Sequence, residues 1–596
     1  MAERGMKRLP LSGADTGSEL SAAFQRLRHV VVALALFSGI VNLLALTGSL
    51  FMMQVYDRVL SSRSVPTLVA LAIITVILYI FQGALDLTRS RVMIRIAARL
   101  DETFGERLYR CILLLPLRMR SPGDGLQPMR DLDTVRSFIS GPGPIALFDL
   151  PWMPIYLIFI FLLHPWLGCL SLVGMVILIG LTLLTEKLSK EPARAVQKEA
   201  ATRLTLAQAG RRNAEVLHAM GLTNRLVERW VNANTRHLLA HERSSDVVGG
   251  IGAVSKVVRF VMQSAMLGLA AWLTIRGEVS GGAIIASSIT SSRALAPIEA
   301  AIANWKGFLA ARQSRTRLEE ILKAMPQGEP PMQLPDPKQN LGIEAIVVCA
   351  PGTQRPLIQN VTLKLEAGQG LGIIGPSAAG KSTLARAMVG VWPLLRGTVR
   401  LDGASLDQWD AATLGQHIGY LPQDVELFDG TVADNIARFE IEPDPQKIVA
   451  AAEAADVHQM ILHLQDGYET RIGEGGSALS AGQRQRIALA RALYGDPFLV
   501  VLDEPNSNLD SEGEAALTKA ITSIRTRGGI AVVVAHRPSA LAAVDFVAVM
   551  AGGTLQAFGP KDEVMKKVMQ PASAPAPSGM PVPVAAQGAL LREVRA

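Results

Sequence analysis

Apolar and polar positions divide the chain into two halves of different pattern. In the first half, six apolar stretches are long enough to cross a membrane, since a spanning helix needs about 20 apolar residues. The sixth carries serines together with Arg293 and Glu299, which are costly against lipid, so we expect them to face another helix or a watery cavity. The six stretches lie near residues 30–53, 66–86, 144–163, 166–185, 254–275 and 279–299.

Basic residues are concentrated in two long loops, one between the second and third spans and one between the fourth and fifth. The connections on the other side are short and carry Arg58, Arg63 and Arg276. By the positive-inside rule, both long loops and both termini are therefore cytoplasmic. The loops keep a helical period, so we expect the spans to continue as helices beyond the membrane. Their middles, around 120–130 and 212–222, are either coupling segments or inert helix turns.

In the second half the pattern changes to short apolar strands that alternate with Ala-rich helices, which is typical of a soluble α/β domain. A Pro-dense linker precedes it and a Pro/Ala-rich stretch, predicted to be disordered, follows it. The polar, basic N-terminus lacks the apolar core of a removable signal peptide. The predicted order is a cytoplasmic segment over 1–28, a transmembrane domain over 29–324, the linker over 325–341, the α/β domain over 342–569 and the tail over 570–596.

Composition supports a membrane protein. Hydrophobic residues make up 49% of the 596 residues, which is too much for an ordinary soluble enzyme, so membrane lipid is the expected surrounding. The net charge of +7 lies largely beside the spans and forms no aromatic-interleaved groove, so we expect no nucleic-acid partner. Cys111, Cys169 and Cys349 lack metal-ligand spacing and predict small buried groups.

The stretch GPSAAGKST follows a buried-strand pattern and fits G-x-x-x-x-G-K-[ST], the phosphate-binding loop. Its glycines let backbone N–H groups converge on phosphate oxygens, and the following helix N-terminus adds a favourable dipole. Lys381 is expected to reach the β- and γ-phosphates of a nucleotide, and Ser382 to bind Mg²⁺. The predicted nucleotide-binding residues here are Gly375, Pro376, Ser377, Ala378, Ala379, Gly380, Lys381, Ser382 and Thr383.

A second apolar run, FLVVL at 498–502, ends in Asp503 and Glu504. The first carboxylate is expected to hold the Mg²⁺ hydration shell, and the second to stand beside the γ-phosphate as general base or water-orienting group. Acidic residues at strand ends are common, so this assignment depends on the stretch LSAGQRQR some twenty residues earlier.

Taken in order, the phosphate-binding loop, LSAGQ at 479–483, the acidic strand end, YLPQD, NSNLD and a histidine after AVVVA resemble the ATP-binding-cassette ATPases. The resemblance implies that two such domains enclose two ATP molecules. It implies that Ser480, Gly482 and Gln483 contact the γ-phosphate held by the other subunit. It further implies catalytic roles for Glu504 as base, for Gln423 in sensing Mg²⁺ and the attacking water, and for His536 at the γ-phosphate, while Asp510 couples the two sites.

Two positions depart from the pattern of that family. Ala481 stands where the signature usually has glycine, and its methyl group is costly if the local φ is positive. Cys349 and Ala350 occupy the region in which the family commonly places an aromatic residue that stacks on adenine. We therefore predict weak discrimination between adenine and guanine, or stacking from elsewhere in the fold.

The chain carries one set of spans and one nucleotide-binding domain, so a homodimer with twelve spans is the simplest assembly. The predicted fold class is a multidomain chain, with an all-α six-helix transmembrane exporter domain followed by an α/β P-loop NTPase domain. Residues 53–68, 148–156 and 284–306 also resemble bacterial type I secretion ATPases. That resemblance implies export of an unfolded protein with a C-terminal signal across the inner membrane. It also implies a periplasmic membrane-fusion partner, an outer-membrane channel and a cytoplasmic ATPase domain.

The sequence is also compatible with exporters of other kinds of cargo. An exporter of lipid, peptide or drug-like molecules shares the whole ATPase half, although the aromatic content of 5% is low for a drug-binding cavity. Within the membrane half, Asp57, Arg58, Asp149 and Arg293 are candidates to line the export path, and interhelical pairing is the alternative.

Overall fold

The computed structural model describes residues 28–119, 125–326, 333–507, 511–535 and 541–569. The chain divides into two compact units, one up to residue 327 and one from residue 328. The described part of the first unit is helical. Its helices are α1 Arg28–Leu44, α2 Thr47–Gln54, α3 Leu60–Ser62, α4 Val65–Arg118, α5 Gln127–Ser140, α6 Pro142–Asp149, α7 Met153–Leu163, α8 Pro165–Arg212, α9 Ala214–Ala219, α10 Thr223–Ile275, α11 Gly281–Ala303 and α12 Trp305–Ala324, with a π-helical turn over Val55–Val59 and a 3₁₀ turn over Leu150–Trp152.

Three of these helices are much longer than a membrane is thick. Helix α4 has 54 residues, α8 has 48 and α10 has 53. At about 1.5 Å per residue, α4 extends roughly 80 Å, whereas the hydrocarbon layer is about 30 Å thick. The prediction that the spans continue as helices is therefore confirmed. The long connection between the fourth and fifth predicted spans consists mostly of α8 and α10, which are joined by a short turn that contains α9.

Within the described ranges, five helical stretches are long and apolar enough to cross a membrane. They are Arg28–Ser62, Val65–Arg118, Pro142–Leu163, Pro165–Arg212 and Thr223–Ile275. The sixth predicted span is α11, which is helical but falls outside this group of five. Its hydroxyl residues are mostly buried, and Thr290 Oγ1 lies 2.8 Å from Ser49 Oγ on α2.

A buried polar network joins the first three spans. The guanidinium of Arg89 on α4 donates to Asp149 Oδ1 at 2.6 Å and to Ser38 Oγ at 2.9 Å. Asn42 on α1 donates to the same Asp149 oxygen at 2.9 Å and accepts from the hydroxyl of Tyr156 at 2.9 Å. Arg89 and Asp149 are paired with each other, as charged residues between membrane helices usually are.

A second buried carboxylate holds the helices that follow the spans. Asp131 on α5 is 1% exposed and accepts from Arg317 Nη2 at 2.6 Å and Ser314 Oγ at 2.9 Å, both on α12. The hydrogen bond from Arg317 to Asp131 raises the pKa of that arginine. An ion pair between a buried aspartate and a half-buried arginine therefore connects α5 and α12.

The second unit has the strand–helix alternation that the sequence predicts. Its strands are β1 Asn340–Cys349, β2 Pro356–Glu366, β3 Gly370–Ile374, β4 Leu394–Leu401, β5 Ala404–Ser405, β6 Ile418–Leu421, β7 Leu499–Asp503, β8 Ile530–Val534, β9 Phe546–Ala551 and β10 Thr554–Pro560. Its helices are α13 Lys381–Met388, α14 Ala411–His417, α15 Val432–Ile436, α16 Pro445–Ala454, α17 His458–Leu462, α18 Ala481–Leu493, α19 Ser511–Thr526 and α20 Lys561–Met569, and 3₁₀ turns cover 406–408, 467–469 and 474–476.

The strands form two sheets. One is antiparallel with the order β2-β1-β4-β5, and the other has the order β10-β9-β3-β8-β7-β6. In the second sheet the five strands from β9 to β6 are parallel and β10 is an antiparallel edge. The carboxyl ends of parallel strands meet at one edge, which is where open α/β sheets bind ligands. The loops after β3, β6 and β7 therefore share one edge, and the predicted multidomain fold is confirmed.

Candidate active site

The phosphate-binding loop lies between β3 and α13, and its two glycines are required by close backbone contacts. At Gly375 φ is 153°, and a Cβ there would lie 2.1 Å from the carbonyl oxygen of Met550. At Gly380 φ is 96°, and a Cβ would lie 3.3 Å from the Leu357 carbonyl oxygen. Between them the backbone at Pro376, Ser377 and Ala378 is exposed, and Ala379 is buried. The loop is thus held rigidly at both ends with its middle open to a ligand.

Lys381, in the first turn of α13, is 5% exposed. Its Nζ donates to the carbonyl oxygens of Gly375 at 2.9 Å and Pro376 at 3.0 Å, so the ammonium group lies inside the curve of the loop. Burial lowers the pKa of Lys381, and the carboxylates of Glu504 and Asp503 oppose that shift. A cation in this position matches the phosphate groups that such a loop binds.

Ser382 and Asp503 form a site whose chemistry suits Mg²⁺. Ser382 Oγ donates to Asp503 Oδ1 at 3.1 Å. The other carboxylate oxygen, Oδ2, is buried without a hydrogen-bond partner among the described residues. Burial raises the pKa of Asp503. Magnesium is commonly held by one or two carboxylates together with substrate phosphates and water, and a hydroxyl beside a buried carboxylate oxygen with no such partner fits that preference.

Glu504 follows β7 in a conformation that few side chains adopt. Its φ is 52°, and its N–H donates to the Val534 carbonyl of the neighbouring strand at 3.0 Å. Its carboxylate accepts from Gln423 Nε2 at 3.2 Å, which brings together two of the three predicted catalytic residues. Left-handed backbone at a non-glycine residue costs about 1–3 kcal/mol and is concentrated at functional sites. The strained turn aims the carboxylate away from the strand and toward the edge where the loop lies.

The signature residues form a helix start of their own. Ser480 is the N-cap of α18: its Oγ accepts from Gln483 N–H at 3.3 Å, and its N–H donates to Gln483 Oε1 at 2.9 Å. Ser480 is exposed and Gly482 half-buried. No hydrogen bond joins these three residues to 375–383 within the described part of the chain. One protomer therefore assembles the loop, Ser382, Asp503, Glu504 and Gln423, and leaves the signature separate.

Two of the predicted site residues lie outside the described residues, namely Asp510 and His536. The expected cost of the Ala481 methyl group is absent, because Ala481 is the first residue of α18 and its φ is not positive.

Sequence reasoning missed Gln485. This side chain on α18 is 3% exposed and donates to the Glu504 carbonyl oxygen at 3.3 Å, so it connects the signature helix to the strained turn. The sequence feature that could have identified Gln485 is its position as a polar residue on the apolar face of the predicted helix.

This site, on an α/β unit that follows a bundle of membrane helices, is the arrangement of an ATP-driven membrane transporter. Two family models match the chain, "ABC transporter transmembrane region" over residues 31–294 and "ABC transporter" over residues 358–507. The chain belongs to the ATP-binding-cassette transporter family, so it is a membrane protein that couples ATP hydrolysis to transport.

Individual similar proteins narrow the class of ABC transporter. The type I secretion system ATP-binding protein PrsD of Rhizobium meliloti (strain 1021) is 55% identical over 551 residues, which cover 92% of this chain and 95% of that protein. The toxin RTX-I translocation ATP-binding protein of Actinobacillus pleuropneumoniae is 28% identical, covering 90% and 76%. Among solved structures, a bacterial Atm1-family ABC exporter with ATP bound has a TM-score of 0.77 at 20% identity and covers 91% and 96%, so it supports the fold alone.

Proposed function

We propose that the chain is the ABC component of a type I secretion system, which exports an unfolded protein with a C-terminal signal across the inner membrane. The observation that carries this proposal is the similarity to PrsD, which extends over 92% of the chain and so includes the membrane unit that handles the cargo. A similarity limited to the ATPase unit would not separate protein exporters from lipid or drug exporters.

The described residues include most of those that we propose for the loop side of an ATP site. In our proposal, residues 375–383 bind the phosphates, and Ser382 and Asp503 hold Mg²⁺, assisted by Gln423. Bound Mg²⁺ would offset negative charge on the phosphates during transfer. Glu504 is the general base that receives the proton of the attacking water. Gln423, which lies 3.2 Å from the Glu504 carboxylate, orients that water.

The signature side requires a second copy of the chain. Ser480, Gly482 and Gln483 present the N-terminus of a 13-residue helix, which favours an anion, yet no hydrogen bond joins them to the loop of their own described chain. We therefore propose a homodimer in which each signature faces the partner's loop. Asp510 and His536 would complete the site by coupling the two ATP positions and contacting the γ-phosphate.

Partners and placement follow from the same proposal. The nucleotide-binding unit is cytoplasmic, the spans lie in the inner membrane among lipid, and a periplasmic membrane-fusion protein and an outer-membrane channel continue the path. Residues 212–222 are the proposed coupling segment, since α8 ends at Arg212, α9 occupies Ala214–Ala219, and Gly221 has a φ of 66°. A rigid turn between two long helices can transmit a movement of its tip along both of them.

The test replaces Glu504 with glutamine in the source organism and compares the proteins secreted into the medium. Loss of the general base should lower ATP turnover by about 10²- to 10⁴-fold. We expect one or a few proteins to disappear from the medium while the chain stays in the membrane at normal level. An unchanged set of secreted proteins with altered lipid export would overturn the proposal in favour of a lipid exporter.

A further inference from the structure

Of the four charged residues beside the spans that were candidates for the export path, the two acids are paired. Asp57 accepts from Ser280 Oγ at 2.6 Å and from the Gly282 N–H at 2.8 Å, so it caps the start of α11. Asp149 accepts from Arg89 at 2.6 Å. Both acids therefore serve contacts between helices and not the path.

Arg293, on α11, differs from them. It is exposed and has no hydrogen bond or ion pair within the described ranges, whereas Glu299, the other charged residue of the helix, pairs with Arg259 at 3.0 Å. Arg293 lies twelve residues after Gly281, where α11 begins. At about 1.5 Å per residue it is therefore roughly 18 Å along the helix, well inside a hydrocarbon layer about 30 Å thick.

The surface around Arg293 is not a lipid-facing surface. Of the residues three and four positions away on the same helix face, Ala296 is exposed, Ile289 is half-buried, and Thr290 and Pro297 are buried. By contrast, α4 exposes large apolar side chains at the same distance from its own start, including Ile77 at 59% and Ile80 at 68%. Lipid suits α4, but it would leave the arginine with a cost of several kcal/mol. The Arg293 face must therefore meet water or an anionic group.

A second copy of the chain offers no free anion at this depth. Every carboxylate in or next to the six predicted spans, as far as the structure describes them, already has a partner in its own chain. These carboxylates are Asp57 with Ser280 and Gly282, Asp86 and Asp149 with Arg89, Glu186 with Arg312, Glu278 with His164, and Glu299 with Arg259. Two-fold symmetry would also bring Arg293 toward its own copy if it lay near the axis, and like charges repel.

We propose that Arg293 is a cationic contact in the export path that binds the carboxylates of acidic stretches of the passing polypeptide. This inference rests on the proposed export of protein. A guanidinium group can hold a carboxylate with two parallel hydrogen bonds and remains charged at any working pH. A single such contact in a hydrated path is weak enough to release each acidic residue as the chain moves.

The first test places a photo-crosslinking amino acid at position 293 of the full-length chain, in cells that make the secretion system. Position 77 is the control, because Ile77 also lies twelve residues after the start of its helix and faces outward. We expect the probe at 293 to crosslink to a polypeptide that is lost from the medium in the Glu504→Gln strain, and the probe at 77 to crosslink to lipid. Crosslinks from 293 only to lipid or only to a second copy of the chain would overturn the proposal.

The second test compares export by Arg293→Gln and Arg293→Lys. Loss of one such weak charged contact should lower secretion by about two- to fivefold in the glutamine variant, and the lysine variant, which keeps the charge, should retain most of the secretion. ATP turnover of purified Arg293→Gln should stay normal, which separates this role from a failure to fold. Full secretion by Arg293→Gln would refute the contact. If Glu504→Gln itself leaves secretion unchanged, the failure belongs to the proposed function instead.

Discussion

The two sides of the proposed ATP site differ in how far one chain completes them. On the loop side, Lys381 is buried inside the loop, Ser382 contacts Asp503, and Gln423 contacts Glu504, so the groups are already in place. On the signature side, Ser480 and Gln483 form a capping box with each other, and none of their hydrogen bonds among the described residues reaches the loop. An exposed helix start can bind an anion, and no described residue of the same chain supplies an anion to it. In the proposed homodimer, this comparison predicts that ATP turnover depends on two chains, whereas nucleotide binding depends mostly on one.

The largest expected effect comes from blocking the signature side alone. Ser480→Arg places a long side chain over the N-terminus of α18 and should lower ATP turnover by about 100-fold or more, in the range of lost transition-state contacts. ATP binding to the loop side should stay within about threefold of normal, since the loop lies elsewhere in the chain. ATPase assays and nucleotide-binding assays on the full chain measure both.

Ser480→Ala is the matched control for that variant. It removes the cap, which costs about 1 kcal/mol of helix stability, without blocking the helix start. Turnover in the alanine variant should therefore fall much less than in the arginine variant. Normal ATP turnover by Ser480→Arg would show that the signature takes no part in the ATP site, and the proposed dependence of turnover on two chains would then be wrong.

The loop side should also give ATP binding a pH dependence with two limits. Because burial raises the pKa of Asp503, this carboxylate takes up a proton at a higher pH than an ordinary aspartate, and Mg²⁺ affinity should fall as pH decreases toward that pKa. Because burial lowers the pKa of Lys381, its ammonium group is lost earlier as pH rises, and phosphate affinity should then fall. Beyond each limit the affinity should drop about tenfold per pH unit.

Binding of Mg-ATP measured from about pH 5 to about pH 10 checks this prediction, and Ser480→Ala serves as the control. The side chains and backbone of the signature do not titrate in that range, so the variant should show the same two limits as the unaltered chain. A flat profile, or limits that move in Ser480→Ala, would contradict the assignment of the titrating groups to the loop side.

A smaller effect concerns the base of the nucleotide. Strand β1 ends at Cys349, which pairs with Pro356 on β2, and neither Cys349 nor Ala350 has an aromatic ring. We keep the prediction that ATP and GTP are turned over at rates within about tenfold of each other. A ring that stacks on the base contributes about 1–3 kcal/mol of binding for either purine. Ala350→Tyr should therefore strengthen the binding of both nucleotides, and Ala350→Leu, which has no ring, should not. A strong ATP preference in the unaltered chain would refute the prediction.

Sequence patterns predicted the groups that chemistry requires but not the conformations that hold them. The glycines at 375 and 380 could be assigned from the motif, and the structure gives the reasons: a Cβ at 375 would collide with the Met550 carbonyl oxygen, and residue 380 has a φ of 96°. The positive φ of Glu504 could not, since it depends on a hydrogen bond to Val534 on a strand some thirty residues away. In the membrane unit, the lengths of the apolar stretches predicted five helices that can cross a membrane, whereas the sixth, α11, falls outside that group and the pairing of Asp57 with its start could be seen only in the fold.

The backbone conformation of Ala378 is another feature that the sequence alone does not show. It lies in the loop with a φ of 63°, in the left-handed region, and its side chain is exposed. That conformation costs a residue with a Cβ about 1–2 kcal/mol, and glycine avoids this at an entropic cost of about 0.5–1 kcal/mol. Ala378→Gly should therefore stabilise the nucleotide-binding unit by about 0.5–1 kcal/mol.

The gain can be measured as retained ATP binding after heating the full chain, with a midpoint higher by about 2–4 °C per kcal/mol. Ala379→Gly is the matched control. Ala379 is 3% exposed, has no positive φ, and its Cβ lies 3.4 Å from the position of a Cβ built on Gly375. Glycine there removes buried contact without relieving strain, so the midpoint should fall. A midpoint that shifts in the same direction in both variants would contradict the prediction. The flexibility of the loop, and not the strain at Ala378, would then determine the stability of the nucleotide-binding unit.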